Sequence, residues 1–240
     1  MGLGTAEPSE FGLLEFCLPT APISQRSTLA ARKGFLAEVR KVTAPLGYIL
    51  HGDVQIKIDW FSDARLRCET DRSPDIDNIL KPLLDGLSGR DGILIDDHQI
   101  QSLTSSWIDW NRNDQKLDIR IRFVPDFYLP KAGLAFVRVT SVLCFPIPFA
   151  PHQKSLETWL DAIERALKAR EEIAELTENY YPTRYILPRR LIHRSRIRDF
   201  PVYDFADLRA SNTSPTVQTH SSFDNETHDK PRPSACPRPG

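Results

Sequence analysis

The sequence predicts an α+β fold, a small mixed sheet with two packing helices, followed by a partly helical C-terminal extension and a disordered tail. Three observations predict it. Val54, Ile56, Ile58 and Trp60 alternate with Gln55, Lys57 and Asp59, the period of two of a half-buried strand. The segment DIDNILKPLLDGLSG, Asp75 to Gly89, repeats its apolar residues at helical spacing. KLDIRIRF, beginning at Lys116, returns to the period of two.

The elements follow in chain order. Residues 11–19 (FGLLEFCLP) read as a strand stopped by Pro19 and Pro22. A helix is expected over 28–43, with Leu29, Lys33, Leu36, Val39 and Val42 along one side and Arg32, Arg40 and Lys41 flanking them. After the strand at 54–60 and a polar connection comes the helix from Asp75, whose end Gly86 and Gly89 are expected to mark. GILIDD (92–97) and QIQSLTSSWI (99–108) are expected as two further short strands, giving the order β-α-β-α-β-β-β and a domain ending near Phe123 or Pro125. Beyond it, LAFVRVTSVLCF (134–145) reads as one strand. Residues 155–176 read as an amphipathic helix with Leu156, Trp159, Leu160, Ile163, Leu167, Ile173 and Leu176 on its apolar side. The expected division is thus a domain at 1–125, an extension at 126–205 and a tail at 206–240 rich in Ser, Thr, Pro and Asn.

Composition bounds the function. A chain of 240 residues with 40% hydrophobic and 26% charged residues is globular. No run of eighteen apolar residues occurs, and the first residues carry acids where a secretory signal needs a basic region, so a cytoplasmic protein with no membrane partner is expected. Cys17, Cys68, Cys144 and Cys236 show no CxxC spacing and are expected as free thiols. The net charge of -1 does not advertise a nucleic-acid binder. It conceals a local excess, for Asp71 to Asp97 holds seven aspartates and three basic residues, a concentration that calls for a cation among them.

At about 100° per residue, Asp77, Lys81 and Asp85 share one face of their helix, while Ile79, Leu80, Leu83, Leu84 and Leu87 form the other. Asp75 lies just ahead of the helix and Asp96 and Asp97 close the next segment, where only one of the adjacent pair can face the helix. Asp75, Asp77 and one of Asp96 and Asp97 offer oxygen-only ligands suited to Mg²⁺ or Mn²⁺. Such an ion suits phosphodiester hydrolysis, with Lys81 neutralising charge on the phosphate. Each residue also has an ordinary structural use: Asp77 as an N-cap, Lys81 and Asp85 as a surface pair, Asp96-Asp97 as a turn.

Asp75-Ile76-Asp77-Asn78-Ile79-Leu80-Lys81, then Asp85-Gly86-Leu87, then Gly92-Ile93-Leu94-Ile95-Asp96-Asp97 resembles the pattern of the RusA family of Holliday junction resolvases. The resemblance covers residues 12–124. It implies a small α+β subunit that pairs into a homodimer, with two Mg²⁺-dependent sites that cut four-way DNA junctions in recombination and repair, Mn²⁺ being able to substitute. It assigns metal binding to Asp75, Asp77 and Asp97 and an essential role to Lys81, with Asp96 the weaker member of its pair.

Candidate DNA contacts are Arg26 and Lys33 and, beyond the matched region, Arg189, Arg190 and Arg194. The last three belong to a run of six arginines without an acid, from Arg184 to Arg198, near His193, Tyr180, Tyr181 and Tyr185. A solvated basic face, or a partner for the row Glu171, Glu172, Glu175 and Glu178, explains the run equally well. His98 beside the acidic pair is expected to be exposed, and Trp107 and Trp110 to pack in the core or at a dimer seam. The rival functions are a less selective branched-DNA or flap nuclease of phage or defence origin, and a DNA-binding protein with a vestigial site.

Overall fold

The computed structural model describes residues 7–71, 73–110, 114–148, 153–197 and 199–211. Of the tail expected over 206–240, residues 206–211 lie in a helix instead, and the rest, like Arg198, lies outside the described residues. Of the described residues, 7–132 with 196–200 form one compact unit, and 133–195 with 201–211 form a second.

The first unit contains β1 (Leu13–Leu18), α1 (Leu29–Thr43), β2 (Tyr48–Leu50), β3 (Val54–Ser62), α2 (Ala64–Glu69), α3 (Ile76–Leu87), β4 (Ile100–Asp109), β5 (Lys116–Phe123) and β6 (Tyr128–Pro130). Its main sheet has the order β1-β5-β3-β4. β5 runs antiparallel to β1 and β3, whereas β4 runs parallel to β3. A parallel neighbour needs a long crossover, and α2 and α3 supply it. The inward residues of the alternating β3, Val54, Ile56, Ile58 and Trp60, are all buried. They join Leu14, Phe16, Leu18, Leu117, Ile119 and Ile121 from the neighbouring strands and Phe35, Val39, Ile79, Leu83 and Leu87 from the helices in one core.

Several expectations fail for physical reasons. β2, β6 and α2 are absent from the sequence reading: β2 and β6 are three-residue strands paired to each other, too short to show a period. Residues 92–97 are no strand. The amides of Ile93 and Leu94 both donate to the Leu87 carbonyl, at 2.8 and 2.9 Å, so this segment folds back on the end of α3 and meets other backbone only through isolated bridges. Gly86 does not end its helix but lies inside it. A Cβ there would sit 3.0 Å from Cβ of Val39 on α1, so the glycine permits close helix approach, and Gly89, at φ 88°, makes the turn beyond. Cys68 and Cys144 are free thiols, whereas Cys17 is disulfide-bonded, a pairing that short-range spacing rules do not see.

The second unit contains β7 (Ala135–Arg138), β8 (Leu143–Ile147), α4 (Gln153–Thr177), β9 (Ile192–His193), β10 (Val202–Asp204) and α5 (Phe205–Ser211), with sheet order β10-β7-β8-β9. The single strand expected at 134–145 is two, β7 and β8, antiparallel and joined by a turn in which the Leu143 amide donates to Oγ1 of Thr140 at 3.0 Å. Along α4, Leu160 and Ile163 are buried against Phe145 and Ile147. The stripe fails at its end, where Ile173 is 37% and Leu176 84% exposed.

Two outcomes follow for stability. Gly86→Val forces branched carbons against Val39 and lowers stability by about 1–3 kcal/mol, read as a reduced denaturation midpoint. Lys131, just past β6, donates its Nζ to the Thr43 carbonyl that ends α1, at 2.6 Å, and burial pushes its ammonium down to about 8. The unfolded chain keeps that proton to about 10.5, so it binds more protons than the folded chain across this window and stability rises with pH from about 8 to about 10.5. The stability of the wild type minus that of Lys131→Met therefore climbs through that window, by roughly 1–2 kcal/mol after allowance for partial solvent contact. A flat or falling difference contradicts this account.

Candidate active site

Helix α3 begins at Asp75, whose extended backbone (φ -66°, ψ 153°) makes it the N-cap, though its carboxylate makes no capping hydrogen bond. Asp77 follows in the first turn, where the positive end of the helix dipole favours both carboxylates. Ile79, Leu83 and Leu87 are fully buried, each contributing about 1.5–3 kcal/mol. The exposed pair Lys81–Asp85 is worth a few tenths of a kcal/mol. The apolar stripe therefore sets the helix rotation, and the outward row Asp77, Lys81, Asp85 is its consequence.

Pro82 lies inside α3 and has no amide to donate to the carbonyl of Asn78. That carbonyl accepts the amide of Gln25 instead, at 2.8 Å. The loop before α1 is thereby tied to the first turn of α3. Within it the Arg26 amide donates to Oγ of Ser24 at 3.1 Å.

The second part of the site is a single 3-10 turn, Asp97–Gln99, capped by Asp96. Gln99 is buried and all its hydrogen-bonding capacity is used. Its Nε2 donates to the carbonyls of Leu50 and Gly52, both at 2.9 Å, and its Oε1 accepts from the amides of Ile95 and Asp96 at 2.8 and 3.2 Å. Sequence reasoning missed Gln99, although Asp96 followed three residues later by Gln99 is a capping-box signature.

This turn sends its two aspartates different ways. Oδ2 of Asp97 lies 3.1 Å from Nζ of Lys81, which also holds Oδ1 of Asp85 at 2.7 Å. The hydrogen bond to Asp85 raises the pKa of Lys81, burial opposes it, and Asp97 adds to the rise. The lysine is thus a fixed cation rather than a base. Oδ1 of Asp96 accepts from the His98 amide at 3.0 Å and lies 2.8 Å from the His98 ring and 2.9 Å from Arg196. Burial pushes the Asp96 carboxyl upward, but the hydrogen bonds from the His98 backbone, Arg196 and the His98 ring overcome it and hold the group below its ordinary value. Arg196 comes from the returning segment of this unit, and no spacing signal in the sequence ties it to Asp96.

Asp75 makes no capping bond, Asp77 among the described residues meets only Nδ2 of Asn78, at 3.5 Å, and Asp97 shares one oxygen with Lys81. As hard oxygen donors with lone pairs to spare, these three fit a divalent ion in chemistry. Among the described residues no group of three or more His, Cys, Asp or Glu is already gathered to hold a metal.

Of the candidate DNA contacts, Lys33 lines a groove of about 220 Å³ together with Lys81. Arg26 stands in the loop tied to α3. Arg189, Arg190 and Arg194 belong to the second unit. Arg189 is half-buried, which lowers its pKa, while Arg190 and Arg194 are exposed. There too the Arg184 guanidinium lies 5.0 Å from the Tyr181 ring centre and 5.2 Å from that of Tyr185. Trp107 packs against the core, tilted to Trp60 with ring centres 6.2 Å apart, and Trp110 meets Phe61 edge-on at 5.2 Å.

No curated protein matches the chain. Residues 25–122, running from the loop before α1 almost to the end of β5, match the family model described as Endodeoxyribonuclease RusA. The matched segment contains α3, the 3-10 turn and every strand of the main sheet except β1. That segment is similar to the RusA family of endodeoxyribonucleases.

Proposed function

We propose that this protein is a Mg²⁺-dependent, structure-selective endonuclease that resolves four-way DNA junctions in recombination and repair. It acts as a cytoplasmic homodimer, and Mn²⁺ substitutes for Mg²⁺. The family match supports nuclease chemistry. The observation that carries the reading is the protonated Lys81, held within 3.1 Å of Asp97 and 2.7 Å of Asp85, with the spare carboxylates of Asp75 and Asp77 on the same helix.

Asp75, Asp77 and Asp97 would hold the divalent ion, and binding it has to draw them together. Such an ion, when bound, activates a water and polarises the scissile phosphodiester. Lys81 keeps its proton and stands against the charge that develops on the phosphate oxygens. Asp96, tied to His98 and Arg196, shapes the turn and is the weaker ligand. The buried Gln99 fixes that turn, so Asp97 is offered without ordering cost at each turnover.

Dimerisation is supported by β4. It is an edge strand of ten residues, with Leu103 and Ile108 each 37% exposed. A long exposed edge leaves a row of backbone groups free to pair, and a second copy related by a two-fold axis covers it. Two sites so related cut two strands of a junction symmetrically.

The central test is digestion of a four-way junction, a flap and a linear duplex side by side in Mg²⁺. The junction is expected to be cut fastest, with Asp75→Asn and Asp77→Asn each slowing cleavage by about two orders of magnitude or more while junction binding is kept. Undiminished Mg²⁺-dependent cutting by both variants overturns the assignment. Equal rates on all three substrates establish the less selective nuclease, and calorimetry detecting no Mg²⁺ or Mn²⁺ binding establishes the vestigial site. For the dimer, the double variant Leu103→Lys/Ile108→Lys is expected to run as a monomer in light scattering and to nick junctions without pairing the cuts. A variant that stays dimeric places the interface elsewhere.

A further inference from the structure

The groove that Lys33 shares with Lys81 lies between α1 and α3 and is lined also by Gln25, Arg32 and Asp85, over an apolar floor that includes Pro82. It holds three cations against one carboxylate. Most basic side chains of this unit are paired, as in Lys41–Glu38, Arg65–Glu69, Arg67–Asp109 and Arg120–Glu15. Arg32 and Lys33 have no ion-pair partner among the described residues. The helix that carries them has no acid in its first turn to balance its dipole, although its N-cap, Thr28, satisfies the Ala31 amide. Two unpaired cations, the positive end of a helix and a low-dielectric floor thus converge beside Lys81.

That combination suits an anion. The volume, about 220 Å³, falls below the ~300–1,000 Å³ usual for pockets that engulf a small organic ligand. It suits a phosphodiester group with its water rather than a base. The tie between the Gln25 amide and the Asn78 carbonyl, 2.8 Å, holds one wall of the groove to the helix that carries the candidate catalytic residues. A strand lying in the groove is therefore registered against Lys81.

We propose that this groove is a subsite for a backbone phosphate of the DNA strand next to the phosphate that is cut, gripped by Arg32 and Lys33. The assignment rests on the endonuclease reading above and adds the path of the strand to it. The two side chains position substrate and take no part in bond breaking.

The test is fluorescence anisotropy of the full chain with a labelled four-way junction in EDTA, where no cleavage occurs, over a range of salt concentrations. Arg32→Gln/Lys33→Gln is expected to weaken binding about tenfold near 0.1 M salt and to flatten log K against log[salt] by about 1–2. The charge-conserving Arg32→Lys/Lys33→Arg is expected to restore both, which separates lost contacts from lost folding. Lys41→Gln/Lys168→Gln removes the same net charge from side chains already paired to Glu38 and Glu172 and is expected to leave the slope unchanged. An unchanged affinity and slope in Arg32→Gln/Lys33→Gln, or an equal loss in the control, overturns the subsite. If the wild type binds the junction but cuts no DNA in Mg²⁺, the endonuclease reading falls and the binding comparison still decides the groove.

Discussion

The amide of Gln99 is the constraint on which the site depends. One buried side chain takes two backbone amides from the residues just before the turn and gives two hydrogens to carbonyls at Leu50 and Gly52. An unsatisfied buried polar group costs about 1–3 kcal/mol, so the arrangement is strongly preferred to one with any of these bonds missing. It joins the end of β2 to the entrance of β4. It also forces the chain to leave the core at Asp96 and Asp97, with carboxylates on two sides of one turn. The acids reach the surface, half-buried, because the residues around them are buried: Ile93, Leu94 and Ile95 before them and Gln99 after them each show 3% or less of their surface.

Opposed to that packing is the electrostatic cost of gathering so many aspartates. The fold meets it with separate cations for separate acids. Lys81 serves Asp85 and Asp97, and Arg196 serves Asp96, which also accepts a hydrogen bond from the His98 amide. Asp75 and Asp77 rely on the helix dipole, whose effect of about 0.3–1 kcal/mol is weaker than direct ion pairing at a partly buried site. The acids left with the least internal compensation are therefore the two at the start of α3, where an external cation gains most.

Much of this was legible in the sequence where a period ran long enough to declare itself. β3 alternates over its first seven residues and α3 keeps its stripe over twelve, so both strand and helix, and the outward row Asp77, Lys81, Asp85, could be read directly. The segment from Gly92 to Asp97 misled because its apolar residues are buried all round rather than on one face. Periodicity does not separate a short buried loop from a short buried strand. The hairpin of β7 and β8 was hidden because Val139, Thr140, Ser141 and Val142 offer no glycine or proline to announce a turn. The contact between Asp96 and Arg196 spans one hundred residues, and no local rule reaches that far. Helix-ending glycine was a sound rule applied to the wrong residue, since Gly86 answers to Val39 on another helix.

Pro82 shows how a locally unfavourable residue becomes part of the architecture. Inside an isolated helix it costs about 3 kcal/mol. Here one part of that cost, the orphaned carbonyl of Asn78, is met by Gln25 from the loop before α1. The exchange replaces a bond within α3 by a bond between α3 and the chain leading into α1, and so converts helix stability into relative position. α1 is then fixed against α3 at two points, by this hydrogen bond near the helix start and by the contact of Gly86 with Val39 farther along. Two fixed points leave little freedom for one helix to slide past the other. The cations of α1 are held beside Lys81 by the same residue that breaks the regularity of the helix carrying it.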